Sequence, residues 1–252
     1  MKNILRAEFK KIQFLAVYRN LLLTAVILSL VFGALLLLTV GVTEGRELSS
    51  LNSLEVIDVS FLGIDVTAIM MIIFSALYVS KDISGSAVYT NLTMTPNRLK
   101  FFISRILFLT LLSILMSIVV IALIFVMDYL IMSLNNMCSL DLFNRSVYLK
   151  ILGSILMVIV YSLFSAVGSF FTQSMSAGVV FSLGLMFIPA LIRFFPEWVG
   201  DIVLPIFPES AIGAFIDISG GASSLVVAVF VLCVWVFASG ICGYLRFRQR
   251  DY

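Results

Sequence analysis

Long uncharged apolar runs alternate with short polar stretches along this chain, and that alternation lays out its architecture. Residues 21–40 carry no charge over about the 20 positions that a helix needs to cross a bilayer. A polar connection, Thr43–Ser60, follows with Glu44, Glu47, Glu55 and Asp58 against Arg46. Second and third spans are expected over 61–79, with Asp65 in its first turns, and over 106–130, with Asp128 near its far end. Ile151–Ile192 is again uncharged but roughly twice the length of one crossing. The polar break Thr172-Gln173-Ser174 divides it into spans over 150–171 and 176–192, and the sixth span is expected over 222–244.

Two segments fit neither description. Residues 193–221 hold Pro196, Pro205, Pro208 and Gly220-Gly221 among Phe, Ile and Trp, too apolar for a plain loop and too broken for a span. Short re-entrant helices, their backbone covered by protein, satisfy both facts. At the other end of the chain, Ile4, Leu5, Phe9, Ile12 and Ala16 recur at helical spacing, while Lys2, Arg6 and Lys10 step by four along another face. This is the pattern of an amphipathic helix lying on an anionic membrane surface, with Lys2, Arg6, Phe9 and Lys10 as its membrane contacts. A cleavable leader is the competing reading. The long basic region, the spanning length of the next run and the lack of a small-x-small site all weigh against it. Residues 1–20 are therefore read as an interfacial helix and 21–252 as one six-span domain.

Composition agrees with lipid as the solvent. Hydrophobic residues make up 62% of the chain and charged ones 12%, with a mean hydropathy of +1.16, whereas soluble domains run near 25% charged. A net charge of +2 gives no footprint for nucleic acid. Its placement is more informative. With the N-terminus inside, the inner side collects Lys2, Arg6, Lys10, Lys11, Arg19, Lys81, Arg98, Lys100, Arg105, Arg246, Arg248 and Arg250. The outer side has only Arg46, Arg145, Lys150 and Arg193, so the positive-inside rule puts both termini in the cytoplasm and the proline-rich segment outside, in the cell membrane.

Candidate chemistry is sparse. There is no histidine, no phosphate-binding loop and no nucleophile elbow or zinc spacing, so no catalytic residue, metal site or bound cofactor is expected. Asp65 and Asp128 are ionisable groups within spans, which raises an ion or proton relay. Because both fall near the outer ends of their helices, carboxylates hydrated at the interface are the plainer expectation, and a structural pair with another span is the third reading. The serines Ser162, Ser165 and Ser169 with Ala166 and Gly168, and the pair Ser239 and Gly243, read as small-residue faces for close helix contact.

The stretch Lys81–Arg105, KDISGSAVYTNLTMTPNRLKFFISR, is the most informative. Ser84 can cap a short helix with Val88 and Leu92 on one face. Thr95-Pro96 reads as a fresh helix start, hydroxyl at the cap and proline at the first helical position. A short polar helix over 81–98, wedged between two spans, is suited to being pushed by another protein. A plain positive-inside loop is the alternative.

In layout the chain resembles the permease subunits of ABC-2 type ABC transporters, and the resemblance covers its whole length. It is sharpest at Asp82, Gly85-Ser86, Leu92, Pro96, Arg98 and Arg105, although that family more often has Glu where Asp82 stands and Lys where Arg105 stands. The resemblance implies an all-α integral membrane protein with six transmembrane helices, an N-terminal interfacial helix, a cytoplasmic coupling helix and short external re-entrant helices. It implies coupling through Ser84, Val88, Leu92, Thr95, Pro96, Asn97, Arg98 and Lys100 to a separate cytoplasmic ATPase that carries ATP and Mg, pairing with a second permease copy, and export of an amphipathic or membrane-active peptide. An ion-coupled transporter or channel using Asp65, and an intramembrane enzyme, are the other classes the sequence leaves open.

Overall fold

The computed structural model describes residues 2–40, 51–83, 97–135, 144–216 and 222–249. Its elements are helices, with no strand among the described residues. α1 (Lys2–Phe14) leads through Leu15, the one residue in extended conformation between them, into α2 (Ala16–Leu38). α3 (Ser53–Ser60) and α4 (Leu62–Ile83) follow, then the long α5 (Arg98–Leu134). α6 (Arg145–Thr172) and α7 (Met175–Ile192) form a hairpin. Two short helices, α8 (Glu197–Val203) and α9 (Pro208–Ile216), precede α10 (Ala222–Gln249). Six helices are long and apolar enough to span a membrane, α3 and α4 counting as one.

The expected spans are therefore all present, with different ends. The first begins at Ala16 rather than Leu21, because the amphipathic helix ends at Phe14 and does not run to residue 20. Ser53–Ser60, expected as part of a polar connection, is helical: the Glu55 carboxylate reaches back to accept from the Asn52 N–H (3.0 Å), satisfying a donor that the helix start leaves free. α5 starts at Arg98, not at Pro96. Its cap is Asn97, whose side-chain oxygen accepts from the Leu99 and Lys100 amides at 3.0 and 3.3 Å. With 37 residues it reaches about 55 Å, well beyond a hydrocarbon core of about 30 Å, so its charged first turns have room to stand clear of lipid. The hairpin break falls where expected: Gln173 takes the left-handed conformation (φ 59°) and ends α6.

α4 and α6 form the centre of the bundle. In its most apolar stretch α6 is 67% buried, whereas α10 is 11% buried and α2 22%. These outer helices turn Leu, Ile, Val and Phe outward, as a lipid solvent requires. Contact at the centre is made by small residues. A Cβ on Gly63 would stand 2.5 Å from the Ser29 carbonyl oxygen, and one on Gly33 would stand 2.8 Å from that of Ser60, so α2 packs backbone to backbone on α3 and α4. The serine face of α6 serves three neighbours. Ser162 pairs with Ser113 of α5 (2.7 Å), Ser165 donates to the Ile72 carbonyl of α4 (2.7 Å), and Ser169 is buried against Gly178 of α7. Ser182 of α7 donates back to the Tyr161 carbonyl (2.7 Å).

The proline-rich segment is bent by 86° between the helices on either side of Phe207. Leu204–Ile206 forms a single 3₁₀ turn there. The Trp235 indole donates to the Ile206 carbonyl (2.7 Å) and its ring stacks on Phe207, so α10 satisfies backbone that the bend would otherwise leave free.

Glycine substitutions separate tight from loose contacts. Gly63→Ala is expected to destabilise the protein by about 1–3 kcal/mol. Gly240→Ala, where an added Cβ meets nothing within 4 Å, should cost nothing. Thermal unfolding of both variants in the same detergent checks the contrast.

Candidate functional site

One end of the bundle gathers the start of α2, the end of α4, the start of α5, the α6–α7 turn and the end of α10. At this basic end the structure gathers four charges, three of them buried. Arg105 of α5 lies between two carboxylates: its Nε sits 2.8 Å from Asp82 Oδ2 of α4, and its Nη1 pairs with Glu8 of α1. Lys11 of α1 pairs with the other oxygen of Asp82, and the Tyr78 hydroxyl donates to Glu8. Glu8, Asp82 and Arg105 are each at most 7% exposed.

The local sequence explains the arrangement. Glu8, Lys11 and Ile12 fall on one face of α1 at spacings of three and four, and Ile12 is buried with them. Arg6 and Lys10 point out to solvent or headgroups. Phe9 is only partly covered and meets Phe108 edge-on at 5.3 Å. α1 is thus both an amphipathic surface helix and a docked one. Lys2 begins it, its side chain lying outside the described residues.

Three buried charges are costly to desolvate, and the geometry repays that cost by pairing, with the partly exposed Lys11 bringing the group to net zero. The guanidinium fork engages carboxylates from two different helices, which a single ammonium would do less rigidly. Aromatic rings enclose the group. Lys11 Nζ stands 4.6 Å from the Tyr78 ring centre and Arg105 Cζ stands 4.8 Å from that of Phe101. Phe74, Tyr78 and Phe108 stack on one side, with Tyr18 packed against the first two. On the other side Phe101 stacks on Phe247 of α10, and Phe102 packs on Phe170 of α6 and Tyr244 of α10.

This cluster bounds the central segment from both sides. Ser84, Val88, Leu92, Thr95 and Pro96 lie outside the described residues, but the chain leaves α4 just after Asp82 and enters α5 at Asn97. Arg98 donates from Nη1 to the Arg248 carbonyl (2.8 Å), a cation on the last turn of α10. Lys100 is exposed. The two ends of the segment are therefore joined to α1, α6 and α10.

The two intramembrane carboxylates lie near the opposite end, in separate settings. Asp128 is fully buried and accepts from Ser60 Oγ at 2.7 Å, so the expectation of a carboxylate hydrated at the interface is corrected: α3, unforeseen as a helix, covers it. Asp65 is half-buried and feels Glu209 of α9 and Lys150 of α6, while Tyr161 donates to Glu209 at 2.6 Å. Lys150 itself pairs with Asp58. Among the described residues no group of three or more His, Cys, Asp or Glu is placed to hold a metal ion.

Sequence reasoning missed Glu8, Lys11 and Tyr78. The available signal was Glu8, an acidic residue on the apolar side of a basic amphipathic helix. Against family models, curated proteins and solved structures, the chain has no match.

Breaking the network singly should cost more than emptying it. Arg105→Leu leaves two buried carboxylates facing one lysine and is expected to destabilise the protein by about 3–5 kcal/mol. Adding Glu8→Leu to Arg105→Leu should recover part of that loss. A thermal double-mutant cycle in detergent measures both steps.

Proposed function

We propose that this chain is the transmembrane permease subunit of an ATP-driven exporter, moved by a separate cytoplasmic ATPase at the segment between α4 and α5. The observation that carries this reading is the Glu8–Arg105–Asp82–Lys11 network. A segment that merely set topology would need no rigid mounting. Here both of its ends are held by buried ion pairs, and the mounting extends to α1, α6 and α10.

A displacement applied to residues 84–96 would be passed to α4 through Asp82, to α5 through Arg98 and Arg105, and to α1 through Glu8 and Lys11. The proposed docking residues are Ser84, Val88, Leu92, Thr95, Pro96, Asn97, Arg98 and Lys100. In this reading ATP and Mg are bound by the partner, the basic end faces the cytoplasm, and two permease copies enclose the path. The sparsely buried α2 and α10 supply apolar surface for lipid and for a second copy. An amphipathic or membrane-active peptide suits such a machine, since it partitions into lipid and can enter between spans.

A second reading has an observation of its own. Tyr161 of α6 and Glu209 of α9 are hydrogen-bonded, and Asp65 of α4 lies within electrostatic range of Glu209, carboxyl groups of the kind an ion-coupled transporter uses. That mechanism predicts transport that persists without ATP and is lost in Asp65→Asn.

Purification of the native complex in mild detergent tests the first reading. A stoichiometric partner with a phosphate-binding loop is expected, and its absence from a complex shown to survive extraction sinks the proposal. With the partner in hand, Lys100→Glu and Arg98→Glu should leave membrane insertion intact and lower substrate-stimulated ATP hydrolysis and export together by about tenfold, the effect of about 1.4 kcal/mol of lost coupling.

A further inference from the structure

A cavity of about 550 Å³ lies between α6, α7 and α10 at the basic end, open to the side of the bundle. Phe171, Ala177, Phe181, Trp235, Ala238 and Gly243 are among its walls, which are almost wholly carbon. Glycines bring its walls close together: a Cβ on Gly243 would stand 2.8 Å from Val167 Cγ1, and one on Gly168 would stand 3.2 Å from the Phe181 ring. From Trp235 to Gly243 the cavity runs along α10 for about 12 Å, parallel to the spans.

Its end nearest the membrane surface is positively charged. The Arg246 guanidinium stands 6.0 Å from the ring centre of Phe171, a wall residue, and is itself exposed. α7 begins there too. Ser174 at its N-cap makes no side-chain cap bond, its hydroxyl pairing with Ser176 instead (3.0 Å), and no acidic residue occupies the first turn. The arginine places a positive charge at the mouth of an apolar cavity.

We propose that this cavity binds an anionic phospholipid, one acyl chain lying along Trp235, Ala238 and Gly243, with the headgroup phosphate paired with Arg246. The charge at the mouth selects this occupant over a neutral lipid, and the carbon walls select it over a free phosphate. The proposal is independent of the transporter reading.

The chain contains two tryptophans, Trp198 and Trp235, and Trp235 is a wall of the cavity, so its fluorescence reports occupancy. Trp198→Phe chain is placed in lipid discs that contain a small, equal fraction of phosphatidylglycerol or phosphatidylcholine with brominated acyl chains. Brominated phosphatidylglycerol is expected to quench Trp235 at about tenfold lower mole fraction than brominated phosphatidylcholine, the preference given by one charge-assisted contact. Arg246→Gln in the same background should bring the two lipids level. Ala238→Leu, at an exposed wall position, should raise the mole fraction needed for both. Equal quenching by the two lipids in the parent chain overturns the proposal, as does quenching that Ala238→Leu leaves unchanged. A peptide or second copy that blocks quenching in discs containing phosphatidylglycerol would reassign the cavity to that occupant.

Discussion

Arg105 is the residue on which the basic end depends. It is buried, charged and engaged by carboxylates from two helices that are remote in sequence, Glu8 and Asp82. A charge in that position is tolerable only while both partners are present, so α1, α4 and α5 are obliged to keep one arrangement. The aromatic rings around it exclude water and tie the same arrangement to α6 and α10 through Phe170, Tyr244 and Phe247. An apolar cluster of equal volume would hold the helices together but would permit sliding. Directional ion pairs do not.

The rest of the bundle is built for close approach. Glycine and serine let backbones meet between α2, α3, α4 and α6, and the serine hydroxyls find carbonyls or other hydroxyls on the neighbouring helix. In lipid there is no hydrophobic gain from bringing two apolar helices together, so contact area and these short hydrogen bonds supply the attraction. The central pair α4 and α6 is consequently rigid, while α2 and α10 present large apolar faces outward. A force delivered at the basic end would therefore move α4 and α5 as bodies, with little of it lost to bending.

The two ends of the bundle differ in kind. The basic end holds balanced, mostly buried charge and, beside it, an apolar cavity with a cation at its mouth. The far end carries carboxylates with fewer counter-charges: Asp128 on a serine, and Asp65 near Glu209 with Lys150 shared toward Asp58. In the proposed function, mechanical coupling uses the first environment; in the second reading, ion chemistry uses the other.

Much of this was legible along the chain because a bilayer imposes a simple rule: about 20 apolar residues per crossing, with backbone satisfied inside each helix. The six spans, the hairpin at Gln173, the bent proline-rich segment and the small-residue faces all follow from local composition. Helix ends were less legible, since Asn97 displaced the Thr95-Pro96 start and α3 grew from a stretch rich in carboxylates. The partners of individual charges were not legible at all. Glu8 stands out only by its place on the apolar side of α1, with no sign of its partner, and Asp128 looks like an interfacial residue, until residues 97 and 68 positions away are brought beside them. Sequence by itself determined which segments are long and apolar enough to cross a membrane, because that depends on each segment's own transfer free energy. Which charges face one another depends on how the helices rotate and pack, and only the tertiary structure decided that.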